Sequence, residues 1–259
     1  MAYVQYPDYT LWRSKIDGGD KVQLTFSPMT AVLRKWSPDG ARIAFWGLTP
    51  GESHAYTVDP AGTGAPEAIP GVPGEAGQMG ADWSPDGGSL TFSGAPGIFT
   101  LKSGSIAVHI MDLRTRKITT LPDSQDRWCP RWSPDGRYIA AVHSDMRGLQ
   151  IYDMAAGKWV DLGVNRLLGV DGLLNYHVWS RDGQAIYFQS FPKGQPAAAF
   201  RVRLRDHRVE RVASLENFRQ AAGATFGDWV GLAPDESPLL LEDVGTQDIY
   251  ALEMKLPWK

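Results

Sequence analysis

Apolar residues along the 259-residue chain come in short bursts rather than at helical spacing. Runs of four to six residues, at Arg42–Trp46, Ser89–Ser93, Tyr138–His143, Ala185–Gln189 and Leu239–Glu242, are bounded by Gly, Pro, Asp and Ser. Each has the length of a strand, and the turn formers around it close it off. A second series follows at His54–Val58, Ile106–Leu113, Leu149–Met154, Ala198–Leu204 and Asp248–Met254. A third lies at Glu67–Ile69, Lys117–Leu121, Trp159–Leu162 and Val209–Ala213, and three more strands read at Tyr3–Tyr6, Leu11–Ile16 and Val22–Phe26. No segment offers a long amphipathic helix. The best helical pattern is two turns at Leu215–Ala222.

A five-residue word keeps these series in phase. Trp36-Ser37-Pro38-Asp39-Gly40 recurs as Trp83-Ser84-Pro85-Asp86-Gly87 and Trp132-Ser133-Pro134-Asp135-Gly136. Trp179-Ser180-Arg181-Asp182-Gly183 loses only the proline, and Leu232-Ala233-Pro234-Asp235-Glu236 is a degenerate fifth copy. Their first residues lie 47, 49, 47 and 53 positions apart. Proline presets φ for the second position of a type I turn, Asp suits the third, Ser bonds back to the turn, and Gly follows in the left-handed region. Such a turn with a glycine bulge joins antiparallel strands, and the preceding Trp offers a large apolar surface for burial.

Four strands in a unit of roughly 45 residues is the pattern of a propeller blade. The expected fold is all-β: a β-propeller of four-stranded antiparallel blades, six in number, with five as the alternative. A single domain over 1–259 is expected, with a partial blade at 3–26 and blades at about 30–70, 78–122, 127–163, 173–214 and 226–257. The first strands read as the second to fourth of a blade. That predicts a fragment whose missing inner strand lies upstream, and imperfect closure would favour a strand-exchanged dimer.

Composition then changes the picture in three places. Gly 28, Pro 18 and Trp 10 exceed ordinary usage, and several of these residues are the words themselves, so the excess reports architecture. A net charge of −3 excludes nucleic-acid binding through bulk positive charge. Cys129 is the single cysteine, which excludes an internal disulfide and a cysteine zinc cluster but leaves the compartment open. The N-terminal segment lacks a basic stretch followed by an apolar run, so no secretory signal is expected in this chain. Apolar runs of strand length predict no membrane insertion.

The Trp-Ser-Pro-Asp-Gly word, together with the strand pattern Ile151-Tyr152-Asp153-Met154 and Ile249-Tyr250-Ala251-Leu252-Glu253, resembles the WD-repeat-like propeller of the TolB family over essentially the whole chain. Thr10–Thr25 and Thr246–Pro257 are similar to propeller regions at the C-termini of large bacterial signalling proteins, behind a winged-helix or Ser/Thr kinase module. The resemblance implies a protein-interaction module and an extracytoplasmic, periplasmic setting. Similar blades also serve carbohydrate lyases, which keeps a metal-dependent lyase or lactonase in the channel as the alternative.

Candidate chemistry is sparse. A catalytic group is needed once and a turn in every blade, so the repeated words read as structural. His54, His109, His143, His177 and His207 fall at different strand positions and form no helical metal pair. His143-Ser144-Asp145 holds the residue types of a hydrolase triad, but triad members meet from separate segments. These three read as loop residues. Ala61-Gly62-Thr63-Gly64-Ala65-Pro66 lacks the strand–loop–helix context of a phosphate loop. Residues just before each Trp should ring the channel, which makes Arg34, Lys35, Asp82, Arg131 and His177 candidates for lining its mouth. The competing reading, which we favour at this level, is inter-blade ion pairing between Asp82 and its basic neighbours. The expectation is a non-enzymatic domain with no catalytic residue, metal or cofactor. Its partner would be a protein or peptide, with a small molecule as the alternative, and no nucleic acid.

Overall fold

A computed structural model of the chain describes residues 1–75, 77–95, 106–169, 172–223, 227–228 and 230–245. The fold is an all-β propeller built of antiparallel meanders. Blade 1 has three strands, Ala2–Gln5, Thr10–Arg13 and Val22–Gln23. Blade 2 has four: Thr30–Trp36, Ile43–Thr49, Glu52–Val58 and Glu67–Ala68. Blade 3 repeats the meander at Gly77–Trp83, Ser89–Ala95, Val108–Asp112 and Ile118–Thr120. Blade 4 does so at Arg127–Trp132, Tyr138–His143, Leu149–Asp153 and Lys158–Asp161, and blade 5 at Gly172–Trp179, Ala185–Pro192, Ala198–Arg203 and Val209–Ser214.

Among the described residues the blade count is five, the alternative reading, rather than the expected six. The segment expected at 226–257 contributes only short two-stranded ladders among the described residues, Ala222–Gly223 with Gly227–Asp228 and Val230–Leu232 with Pro238–Leu240. Its word has neither Trp nor Gly, and Leu239 and Leu241 remain exposed, so there is no large side chain at the word to extend the packing. The strand expected at Asp248–Met254, with the Ile249–Glu253 pattern, lies outside the described residues.

Central strands are buried on both faces because neighbouring blades cover each one. Ile139, Ala140, Ala141 and Val142 are all buried in succession, as are Ile43, Ala44, Phe45 and Trp46. The main apolar cluster runs across blades, from Trp46 and Met79 through Trp128 and Val142 to Phe188 and Phe200. The helix expected at Leu215–Ala222 is instead a turn, a bridge from Gln220 to Glu242 and the start of the Ala222–Gly223 strand. A five-residue helix occurs instead at Val164–Leu168, held between two left-handed glycines, Gly163 and Gly169.

The word folds as its chemistry predicts. In the first copy Gly40 N–H donates to Ser37 O at 2.9 Å, and Gly40 takes φ 71°. Ser37 Oγ donates to Asp39 at 2.6 Å and accepts from Arg42 N–H at 2.9 Å, while Asp39 accepts from Ala41 N–H at 2.9 Å. Ser84, Ser133 and Ser180 repeat this set, with Gly87, Gly136 and Gly183 at φ 69–72°.

Corners also meet between blades. A Cβ added at Gly87 would lie 3.7 Å from Pro38 Cδ, at Gly136 3.7 Å from Pro85 Cγ, and at Gly183 3.5 Å from Pro134 Cδ. The proline of one word therefore faces the glycine of the next. The tryptophans add a second tie. Trp83 Nε1 donates to Lys35 O at 3.1 Å and Trp179 Nε1 to Arg131 O at 3.0 Å, each crossing to the preceding blade.

Candidate functional site

The innermost strand of each complete blade carries an irregularity at one place. Register shifts occur between Val32 and Lys35, Met79 and Asp82, Trp128 and Arg131, and Asn175 and Val178. At three of them the residue entering the shift is left-handed: Leu33 at φ 49°, Gly80 at 63° and Cys129 at 55°. A bulge of this kind bends the strand and re-aims the side chains that follow it. Those side chains are the residues just before each Trp.

The structure brings the five expected residues to one region. Arg34, Lys35, Arg131 and His177 line an open cavity of about 780 Å³, together with Met1, Arg181 and Glu236. Lys35, Asp82 and Arg131 also line an adjoining cavity of about 260 Å³, whose rim is Trp36, Trp83, Trp132 and Trp179 with Pro38, Pro85 and Pro134. The words thus frame the mouth as well as turning the chain. Arg181 and Glu236 were missed in the sequence because both stand where the word departs from its pattern.

The electrostatics follow from crowded cations. Desolvation holds the Lys35 ammonium below the usual lysine pKa, although the side chain keeps partial exposure. Attraction to Asp82 opposes that shift and repulsion from Arg131 adds to it. Arg131 is 5% exposed and donates to Pro130 O at 3.0 Å. His177 is buried, and its pKa is pushed down to about 3, first by burial and then by the Arg131 charge. Its Nε2 stands 3.4 Å from Ala140 O and its Nδ1 has no partner. Asp82 does join two blades, by accepting the Trp132 backbone N–H at 2.9 Å, where the sequence favoured ion pairs with its basic neighbours. Trp132 Nε1 is buried without a partner.

The remaining histidines lie elsewhere. His109 bridges Glu75 at 2.9 Å and Thr120 at 3.0 Å inside blade 3. His143, at the end of strand Tyr138–His143, pairs through Nδ1 with Asp145 at 3.0 Å, so that nitrogen is taken by its own neighbour. His54 sits edge-on to Tyr56 and His207 occupies a left-handed turn position. Ala61–Pro66 is loop leading to the short strand Glu67–Ala68. Among the described residues no group of three His, Cys, Asp or Glu is placed to hold a metal ion, and no helix is long and apolar enough to cross a membrane.

Meandering blades around a channel, with the word at each corner, define the class as a WD-repeat-like β-propeller. Within that class the chain belongs to the TolB beta propeller domain family, whose model matches residues 1–158. No curated protein matches the sequence. Among solved structures it is similar to TolB from Acinetobacter baumannii, with 21% identity and a TM-score of 0.67, covering 94% of this chain and 63% of that one. A protein assigned as TolB from Agrobacterium tumefaciens shows 19% identity and a TM-score of 0.65, covering 90% and 82%. An oligogalacturonate lyase in complex with manganese shows 13% identity and a TM-score of 0.61, covering 93% and 73%. The chain therefore spans just under two thirds of the Acinetobacter protein. These likenesses carry the fold alone.

Proposed function

We propose that this domain is a non-catalytic binding module that engages a protein or peptide at the channel mouth, as the interaction end of a larger bacterial envelope or signalling protein. The observation that carries the reading is the convergence of Arg34, Lys35, Asp82, Arg131 and His177 on one open, tryptophan-rimmed mouth. An aromatic rim around fixed charges is the composition that binding hot spots favour. Membership of the TolB propeller family supports the same reading and an extracytoplasmic setting. The chain serves as one propeller unit in this account.

Peptides selected from a random display library test it. Selected peptides should bind the wild-type domain saturably and lose at least tenfold in affinity on Lys35→Gln or Arg131→Gln, with the thermal transition retained. Peptides that bind both variants undiminished would contradict a functional mouth. Stoichiometric, chelator-sensitive manganese or calcium in the purified protein would favour the lyase or lactonase alternative instead.

A further inference from the structure

Trp132 breaks the rule its neighbours keep. Trp83 and Trp179 each donate their indole N–H to the residue before the Trp of the preceding blade. The same rule sends the Trp132 N–H to Asp82 O, yet its Nε1 is buried and bonded to nothing. Indole nitrogen is a donor only, so no rotation or tautomer supplies a substitute. Buried donors in native proteins are nearly always satisfied. What is missing beside Trp132 is therefore an acceptor.

The surroundings specify its charge. Trp132 lines the same cavity as Lys35 and Arg131. Burial disfavours the Lys35 charge, Asp82 attracts it and Arg131 repels it more weakly, so a further anion beside Lys35 and Arg131 would favour both cations. The carboxylates nearby have protein partners: Asp82 accepts the Trp132 backbone N–H and attracts Lys35. Glu236 accepts from Arg181 N–H at 2.9 Å and from Tyr187 Oη–H at 3.1 Å.

We propose that the channel mouth contains an anion subsite, in which Lys35, Arg131 and the Trp132 indole N–H receive one carboxylate or phosphate group of the bound ligand. The proposal rests on the binding reading above and names the chemistry of the group that enters. The tryptophan rings of the rim place low-polarity surface beside these groups, and hydrogen bonds from charged donors are the stronger kind.

Calorimetric titration with two probes tests this: inorganic phosphate, and an end-blocked tripeptide with a central Asp compared with its Asn counterpart. One-to-one saturable binding of phosphate and of the Asp peptide is expected, with mutual competition and at least tenfold weaker binding of the Asn peptide. Preference for the Asp peptide over phosphate identifies a carboxylate source, and the reverse a phosphate source. Lys35→Gln should weaken both about tenfold. Trp132→Phe removes one donor while keeping the ring, and should weaken both severalfold without lowering the melting temperature. Absence of saturable binding by either probe, or binding unchanged in both variants, overturns the subsite. Display-selected peptides that depend on Lys35 but carry no acidic group and resist displacement by phosphate would overturn the subsite and leave the binding reading standing.

Discussion

The corners joining blades 2 to 5 and the corner beyond blade 5 solve one packing problem in two ways. Along 38–87, 85–136 and 134–183 a proline lies against the glycine of the next word, a contact of apolar ring on bare backbone. At the last junction the proline is Arg181 and the glycine is Glu236. Arg181 has the backbone N–H that proline lacks, and Glu236 accepts it at 2.9 Å while sitting at φ 65°, the left-handed conformation the glycines adopt. Two departures that look like decay in the sequence thus form a complementary pair. The comparison teaches that the word is read between blades as well as within them. Its last copy is also tighter: Ala233 N–H bonds to Ser237 O, four residues on, where Ser37 N–H reaches Arg42 O, five residues on.

Removing a large group from the complete blades should show the biggest contrast. Trp46 is 2% exposed, and its Nε1 donates to Ser53, which donates on to Gln78 O in the next blade. Trp46→Ala is expected to cost about 3–5 kcal/mol by chemical denaturation. Leu241→Ala, at 49% exposure beside the last ladder, should change stability by less than about 0.5 kcal/mol. Equal costs would mean that the last unit is as tightly built as the others.

The corner serines give the next step down. Ser133 is fully buried, donates to Asp135 and accepts from Tyr138 N–H. Ser133→Ala should cost about 1–3 kcal/mol, because the Tyr138 amide loses its acceptor. Ser237→Ala at the fifth corner, where the exposed hydroxyl only supplements a backbone bond, should fall within about 0.5 kcal/mol. At the Arg181–Glu236 junction, Arg181→Pro and Glu236→Gly should each destabilise, and the double variant should cost less than the two together by about 0.5 kcal/mol or more. Strict additivity would show that the two departures are unrelated.

Two regions also separate on a pH axis. Ser37, Ser84 and Ser180 hydroxyls, followed by backbone amides, hold Asp39, Asp86 and Asp182 below the usual carboxyl range. A lowered carboxyl pKa contributes stability that is complete above the unfolded value of about 3.9 and is lost as pH falls through the folded value. His177 acts earlier. Its folded pKa of about 3 lies below the unfolded value of about 6.5, so the unfolded chain takes up a proton that the folded chain refuses between those limits. Denaturation midpoints should fall from pH 7 to 5 in the wild type. His177→Gln should flatten that span and retain the loss below pH about 4.

Strand positions and the propeller class were legible because turn chemistry is local: each Trp-Ser-Pro-Asp-Gly word carries its own φ requirements and serine–aspartate bonds. Blade number was not, since closure depends on pairings between the chain's two ends rather than on any one unit. The Val164–Leu168 helix was too short to write a helical period, whereas the Leu215–Ala222 segment pairs as strand at Gln220 and Ala222 instead. The mouth residues were found by counting back from each Trp. The bulge that aims them was invisible, because Leu33 and Cys129 take left-handed backbone without being glycine. Trp132 looks like its neighbours in sequence, and its unbonded indole shows only in the structure.

The indole N–H resonances of Trp83, Trp132 and Trp179, followed by ¹⁵N-resolved NMR during titration with inorganic phosphate, test the central claim most directly. The account predicts a progressive, saturating shift of the Trp132 signal, with Trp83 and Trp179 nearly fixed by their carbonyl partners. A Trp132 signal that stays in place, or three signals that drift together without saturation, would contradict an anion subsite at the channel mouth.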